Sequence, residues 1–219
     1  YRQFVIPTDD AYRARVWFEI EPGARARYAF ISVTGNEVLS DATVLRTLGF
    51  TAGGPYRADQ LLEAQGRLFG LEIIRSARVT PNLDVATDSL IPIFVEIQEG
   101  DPYRVRVGGG LTTAECFNAE ARWTSRDFIG GGRRLQLRSR VGNILTGQFR
   151  DLLCRQAGTG VFADPTWVAS ADFSQPWIFS TRNALNASLF AERQSLPDVF
   201  IRRAIGLQLA LMRRIGPQT

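Results

Sequence analysis

The feature that most constrains the fold of this chain is an alternation of apolar and polar side chains in its second half. Between residues 117 and 123 every odd position is apolar, and the even positions are polar. The alternation resumes at residue 135, after the triple glycine of the segment RDFIGGG. A period of two residues is typical of β-strands that have one apolar and one polar face. The pattern therefore predicts paired strands joined by a short glycine turn.

The same period predicts six strands after residue 103 and no helix. They fall within residues 103–107, 117–123, 135–141, 167–173, 185–191 and 201–211. Such apolar faces pack on a core in a soluble sandwich and meet lipid in a membrane barrel, so periodicity alone leaves both open. Small apolar side chains such as Ala119 and Ala169 favour the barrel, because they would leave voids in a close-packed core. Arginines on the polar faces and aromatic residues at strand ends, among them Trp177, also favour it.

The first half of the chain has the pattern strand, helix, helix, strand, strand. Ser40 is a suitable N-cap for a short first helix. The second helix is predicted over residues 58–69, and its broad apolar face carries Leu61, Leu62, Leu68 and Phe69. The strands are predicted at residues 27–34, 77–81 and 91–98. These elements are sufficient for one small α+β domain.

A short match between two strand-and-turn segments raises the question of internal repetition. Glu19, Ile20 and Gly23 correspond to Glu96, Ile97 and Gly100, so the offset is 77 residues. That spacing suits a small repeated module, and chance is the other interpretation of so short a match.

The composition excludes several kinds of chemistry. The 219-residue chain has no histidine, so Ser-His-Asp and Cys-His catalysis and histidine metal sites are absent from it. Cys116 and Cys154 lack metal-ligand spacing, and they are either two separate thiols or one disulfide. The glycine triplets are not followed by Lys-Ser/Thr or a helix, as a phosphate loop requires. Without these motifs we predict no active site, cofactor or metal. The net charge is +4 and there is no basic patch, so we also predict no nucleic-acid partner.

The order of the motifs resembles a known family. YAFISVTGNEVLSDATVL and IFVEIQEGDPY resemble a POTRA domain, and VGGGLTT and ARWTSRDFIGGGRRL resemble the opening strands of the BamA- and TamA-like outer-membrane assembly barrels. The resemblance implies an α+β POTRA domain (β-α-α-β-β) followed by antiparallel transmembrane β-barrel strands, about six of sixteen. The implied domains are the end of a preceding POTRA domain, a POTRA domain and the N-terminal barrel strands, at residues 1–23, 24–102 and 103–219. Because an unclosed sheet in lipid leaves backbone groups unpaired, we expect a longer polypeptide.

The resemblance also implies a function. Family members of this kind are outer-membrane assembly and insertion factors rather than enzymes, with the POTRA part in the periplasm. The implied partners are unfolded outer-membrane protein precursors, other assembly-machinery subunits or a periplasmic partner, and outer-membrane lipid. The alternatives are a two-partner-type polypeptide secretion pore, the barrel part of a patatin-like lipase fusion, and a soluble two-domain binding protein.

The resemblance assigns roles to four sets of residues. Client strands would add by β-augmentation to a sheet edge at Ala77, Arg78, Val79, Thr80 and Pro81. A weak barrel seam would lie at Val105, Arg106, Val107, Gly108, Gly109 and Gly110, either because glycine weakens strand pairing or because glycine merely relieves crowding where the sheet curls. The family topology puts Cys116 and Cys154 on the extracellular rim, where it implies a disulfide, and the barrel lumen would be lined by Arg122, Arg134, Arg138 and Arg140.

Overall fold

The computed structural model describes residues 2–7, 14–19, 25–87, 89–197 and 199–215. The described strands form a two-stranded, a three-stranded and a six-stranded sheet. The two-stranded sheet pairs β1 (Arg2–Pro7) with β2 (Ala14–Glu19) in antiparallel register. Assignment of residues 1–23 to the end of a preceding POTRA domain stays a prediction.

The three-stranded sheet and two helices form the predicted α+β unit. The elements are β3 (Arg27–Thr34), α1 (Asp41–Leu48), α2 (Ala58–Phe69), β4 (Ile74–Pro81) and β5 (Leu90–Glu99). The sheet order is β3-β5-β4, with β5 parallel to β3 and antiparallel to β4. The predicted strand–helix–helix–strand–strand order is therefore confirmed, with β4 beginning three residues earlier than predicted.

Local sequence signals account for the two helices. The Ser40 hydroxyl accepts a hydrogen bond from the backbone N–H of Thr43 at 3.3 Å, which caps α1, and Gly49 ends that helix with φ of 73°. In α2 the buried side chains are Leu61, Ala64 and Leu68. The prediction that Leu62 and Phe69 share this buried face is wrong. Each directly follows a buried leucine in the sequence, so each is rotated away from the sheet, and both are exposed.

The main hydrophobic core lies between the helices and the three-stranded sheet. Its fully buried side chains include Tyr28, Val44, Leu48, Leu68, Ile73, Ile93 and Val95. The Tyr28 and Phe50 rings stack with centroids 4.3 Å apart, and the Tyr28 hydroxyl lies 3.1 Å from Gln60 Oε1. No helix among the described residues is long and apolar enough to cross a membrane.

The six-stranded sheet is an antiparallel meander. Its strands are β6 (Tyr103–Thr112), β7 (Cys116–Ser125), β8 (Arg134–Ile144), β9 (Thr166–Gln175), β10 (Asn183–Leu196) and β11 (Phe200–Arg213). Each strand pairs with its neighbours in sequence, so the six predicted strands are confirmed. The prediction of no helix is wrong for one turn, α3 (Thr146–Phe149), and a 3-10 turn at Gly160–Phe162, both in the long loop after β8.

The apolar face of this sheet is not covered by other described residues along its first and last strands. Val105, Val107, Ile205, Leu207 and Leu209 have 66–83% of their surface exposed. In a sandwich a second layer would bury these side chains, whereas in a barrel they face lipid. The strands have 10 to 14 residues, and about 9–11 residues suffice to cross a bilayer. The sheet therefore has the construction of barrel strands rather than of a sandwich.

Candidate functional site

The predicted client-binding edge lies on an edge strand of the POTRA-like sheet. Residues 77–81 belong to β4, which pairs on one side with β5 and on its other side with no strand among the described residues. Ala77 and Val79 are buried against the helices, whereas Arg78 and Thr80 are exposed. An extended segment can hydrogen-bond to the free backbone groups of such an edge. Client binding at this edge stays a prediction.

The predicted seam lies on β6, an edge strand of the large sheet. β6 pairs with β7 from Tyr103, opposite Ser125, to Thr112, opposite Cys116. A Cβ atom on Gly108 would have no atom within 4 Å, whereas one on Gly109 would lie 3.3 Å from the Asn118 carbonyl oxygen. Crowding therefore explains a glycine at 109 but not at 108.

The arginines predicted to line the lumen share the polar face of the sheet. The Glu120 carboxylate forms ion pairs with Arg122 at 3.0 Å and with Arg138 at 3.3 Å. Arg140 pairs with Glu115 at 2.5 Å. The chain thus places ion pairs on the face that a barrel would turn towards water.

The junction between the α+β unit and the six-stranded sheet is held by contacts that the sequence did not predict. Arg134, at the start of β8, pairs with Glu72 at 2.8 Å. The guanidinium of Arg46 in α1 lies 4.7 Å from the ring centroid of Trp177. Trp177, one of the aromatic residues at the predicted strand ends, therefore contacts helix α1 of the POTRA-like unit.

The turn after β7 reaches the same junction. Gly130, Gly131 and Gly132 all have φ near +70°, a left-handed conformation that the glycine triplet predicted. A Cβ atom on Gly132 would lie 2.8 Å from a methyl group of Leu71. The third glycine therefore also permits close approach of the turn to the first domain.

Cys116 and Cys154 lie together at the opposite end of the sheet. The structure joins them by a disulfide with Cα atoms 5.0 Å apart, and both side chains are fully buried. Cys116 begins β7, and Cys154 lies in the long loop between β8 and β9. The loop is thereby tied to a strand that is not adjacent to it in sequence.

Arg193 is a second anchor of this loop, and sequence reasoning missed it. Its side chain is 8% exposed, and it donates hydrogen bonds to the backbone oxygens of Val161, Asp164 and Pro165 at 2.8–3.1 Å. One signal was available in the sequence. The alternation of β10 predicts an apolar residue at position 193, and the arginine there marks the end of the apolar band.

The Asp59 carboxyl and the Tyr28 hydroxyl, both outside the barrel strands, have perturbed pKa values. The pKa of the Asp59 carboxyl is lowered because the Arg57 guanidinium donates a hydrogen bond to it. Burial raises the pKa of the Tyr28 hydroxyl. Both shifts come from structural contacts at the start of α2 and in the core.

Comparisons with known proteins agree with this architecture. A family model described as POTRA, surface antigen variable number repeat, matches residues 26–103. The structure of BamA from Haemophilus ducreyi lacking POTRA domains 1–3 is similar, with a TM-score of 0.59 and 17% sequence identity over 88% of this chain and 32% of that chain. CdiB from Acinetobacter baumannii gives a TM-score of 0.39 and 10% identity, over 88% of this chain and 44% of that chain. No curated protein matches the chain.

These findings confirm the resemblance at the level of domain family and fold. The matched residues span the whole β3–β5 unit, and the likeness to the BamA structure extends over both sheets. The chain spans about a third of the length of that structure.

Proposed function

We propose that this chain, which contains a POTRA domain followed by strands with the fold of the BamA-type barrels, is part of an outer-membrane protein assembly factor. The barrel strands would lie in the outer membrane and the POTRA domain in the periplasm. Unfolded barrel precursors would add first to the edge of β4, and their strands would then pair with β6. Other assembly subunits or a periplasmic partner would act on the same precursors.

The observation that carries this proposal is that both strands predicted to pair with clients are end strands of their sheets among the described residues, as β3 and β11 are at the other ends. β4 is an edge of the POTRA sheet, and β6 is an edge of the membrane sheet. An exposed strand edge can recruit another strand, and β-augmentation uses that property for binding. A protein whose work is to pair strands needs such edges and needs no reactive side chain.

The POTRA edge can be tested with two matched threonines. Thr80 lies on β4 and Thr34 on β3, and both are exposed strand residues. With a photoreactive residue at one of these positions in the full-length protein, we expect unfolded barrel precursors to be captured at position 80 and not at 34. Capture at both positions to the same extent, or at 34 alone, would contradict the assignment of β4 as the docking edge.

The seam can be tested at its uncrowded glycine. We expect Gly108→Val to strengthen pairing at β6 by about 0.5–1 kcal/mol, because valine favours strands and has open space here. Tighter pairing would slow precursor insertion into lipid vesicles by the reconstituted full-length protein. Gly147→Val, in the loop helix α3 and also uncrowded, is the control and should leave insertion unchanged.

The same vesicle assay separates the proposal from its main alternative. An assembly factor inserts precursors into the vesicle membrane, where they become resistant to protease as folded barrels. A secretion pore would instead deliver a polypeptide into the vesicle lumen without inserting it. If the polypeptide reaches the vesicle lumen and no precursor is inserted, the protein is a secretion pore and the assembly function is wrong.

A further inference from the structure

The first barrel strand carries an unusual arrangement of arginines on its polar face. Arg106 in β6 lies directly opposite Arg122 in β7, which lies directly opposite Arg138 in β8. Three arginines therefore form one row across three neighbouring strands. Like charges directly opposite each other in a sheet are destabilising, so this row requires negative partners.

The carboxylate that pairs with this row contacts only its arginines on β7 and β8. Glu120 pairs with both Arg122 and Arg138. Arg104 and Arg106, which share the polar face of β6, have no ion pair with any carboxylate among the described residues. The unmatched positive charge of this row thus lies on β6, which is an end strand of the sheet among the described residues.

The cavity beside these residues is strongly cationic. It has a volume of about 170 Å³ at the POTRA junction, and its charged lining consists of Glu72 and the arginines Arg104, Arg106, Arg122, Arg126 and Arg134. Glu72 is already paired with Arg134. The Nε atoms of Arg122 and Arg134 are buried and have no hydrogen-bond acceptor among the described residues. A further negative charge beside these arginines would therefore be favourable.

We propose that the strand added to the edge of β6 is a client strand selected for carboxylates at two alternate positions, opposite Arg104 and Arg106. A strand on that edge places its residues directly opposite those of β6, with Cβ atoms about 4.5–5.5 Å apart. Carboxylates at i and i+2 then lie on the lumen face, where guanidinium groups bind them with paired hydrogen bonds. The residue between them faces lipid beside Val105 and is apolar.

The spacing of the arginines favours a strand over a free anion. Arg104 and Arg106 are two residues apart in a strand, so their Cα atoms are separated by about 6.6–6.8 Å. Alternate carboxylates of a second strand repeat at the same distance. This inference rests on the proposed seam at β6 and adds to it a rule for which client segments pair there.

The test uses the full-length protein in lipid nanodiscs and two synthetic strand peptides. The peptides are identical except that one carries glutamate and the other glutamine at two alternate positions, and each bears a photoreactive group. We expect the glutamate peptide to cross-link to β6 about tenfold more efficiently, as two cross-strand charge pairs allow. In the double variant Arg104→Gln/Arg106→Gln, the two peptides should cross-link with about equal efficiency.

Two further variants identify the cause. Arg104→Lys/Arg106→Lys keeps the charge and should retain most of the preference. Arg104→Glu/Arg106→Glu should transfer the preference to a peptide with lysines at the same two positions, even where total cross-linking falls.

The outcomes separate this inference from the function on which it rests. Equal cross-linking of the glutamate and glutamine peptides to the unaltered protein overturns the charge rule and leaves the seam intact. Absence of any cross-link to β6 overturns the seam and the rule together. A preference abolished by millimolar inorganic phosphate indicates a general anion site and also overturns the selection of strands.

Discussion

Replacement of Gly35 by alanine is expected to lower the free energy of unfolding of the POTRA domain by about 3 kcal/mol or more. Gly35 follows β3 with φ of 84°, and a Cβ atom there would lie 2.0 Å from the backbone oxygen of Ile97. Ile97 belongs to β5, the central strand of the sheet. Since the obstacle is backbone, the clash can be relieved only by moving β3 away from β5. Hydrogen exchange of the β5 amides in the full-length protein measures the loss.

Gly53→Ala is the matched control for this substitution. Gly53 has a similar φ of 80°, but a Cβ atom there would have nothing within 4 Å. Alanine at 53 therefore carries the cost of left-handed backbone alone, about 1–2 kcal/mol. Equal losses at 35 and 53 would contradict the role of the close approach between Gly35 and Ile97.

The features predicted correctly from the sequence are those encoded over a few neighbouring residues. The alternation of β7 and β8 specified two faces, and the glycine triplet specified a turn with positive φ. Ser40 specified the start of α1 because an N-cap acts within one turn of its own helix. Antiparallel pairing then followed from the short connections between strands, except for β8 and β9, which a long loop joins.

The contacts that were not predicted join residues far apart in the chain. Glu72 and Arg134 are 62 residues apart, and their pairing depends on how the POTRA domain meets the barrel turn. Burial of Leu61 but not of Leu62 depends on the angle at which α2 packs on the sheet, which an apolar face about 100° wide does not specify. The uncrowded Gly108 and crowded Gly109 look identical in sequence, and only the position of β7 distinguishes them.

The long loop between β8 and β9 is ordered by hydrogen bonds to the neighbouring strands. The Ser195 hydroxyl donates to the Phe162 backbone oxygen at 3.0 Å, and the Asn143 amide donates to the backbone oxygens of Phe162 and Asp164 at 3.3 Å. With the disulfide to Cys116, the loop is fastened to β7, β8 and β10. A cap fastened in this way holds the ends of these strands in register.

Removal of the Arg193 side chain should therefore open this loop. Arg193→Ala leaves the backbone oxygens of Val161 and Pro165 without their donor, and the Asp164 oxygen keeps only the Asn143 amide. Hydrogen bonds to a charged donor contribute about 1.5–3 kcal/mol each, and water that enters the opened site offsets part of the loss. We expect the free energy of local opening of the loop to fall by about 3 kcal/mol. Exchange of the amides at 161–164, and protease cleavage in the loop, would both accelerate by about a hundredfold.

Two substitutions separate this effect from a general loss of charge. Arg155→Ala removes an exposed arginine of the same loop, whose Nε donates to the Asp151 backbone oxygen at 3.2 Å, and should change the free energy of opening by about 0.5 kcal/mol or less. Arg193→Lys keeps the charge but replaces the planar fork by a single ammonium group, so we expect an intermediate loss. If Arg193→Ala and Arg155→Ala accelerate exchange at 161–164 equally, the loop is held by the disulfide and its own turns, and Arg193 is not an anchor.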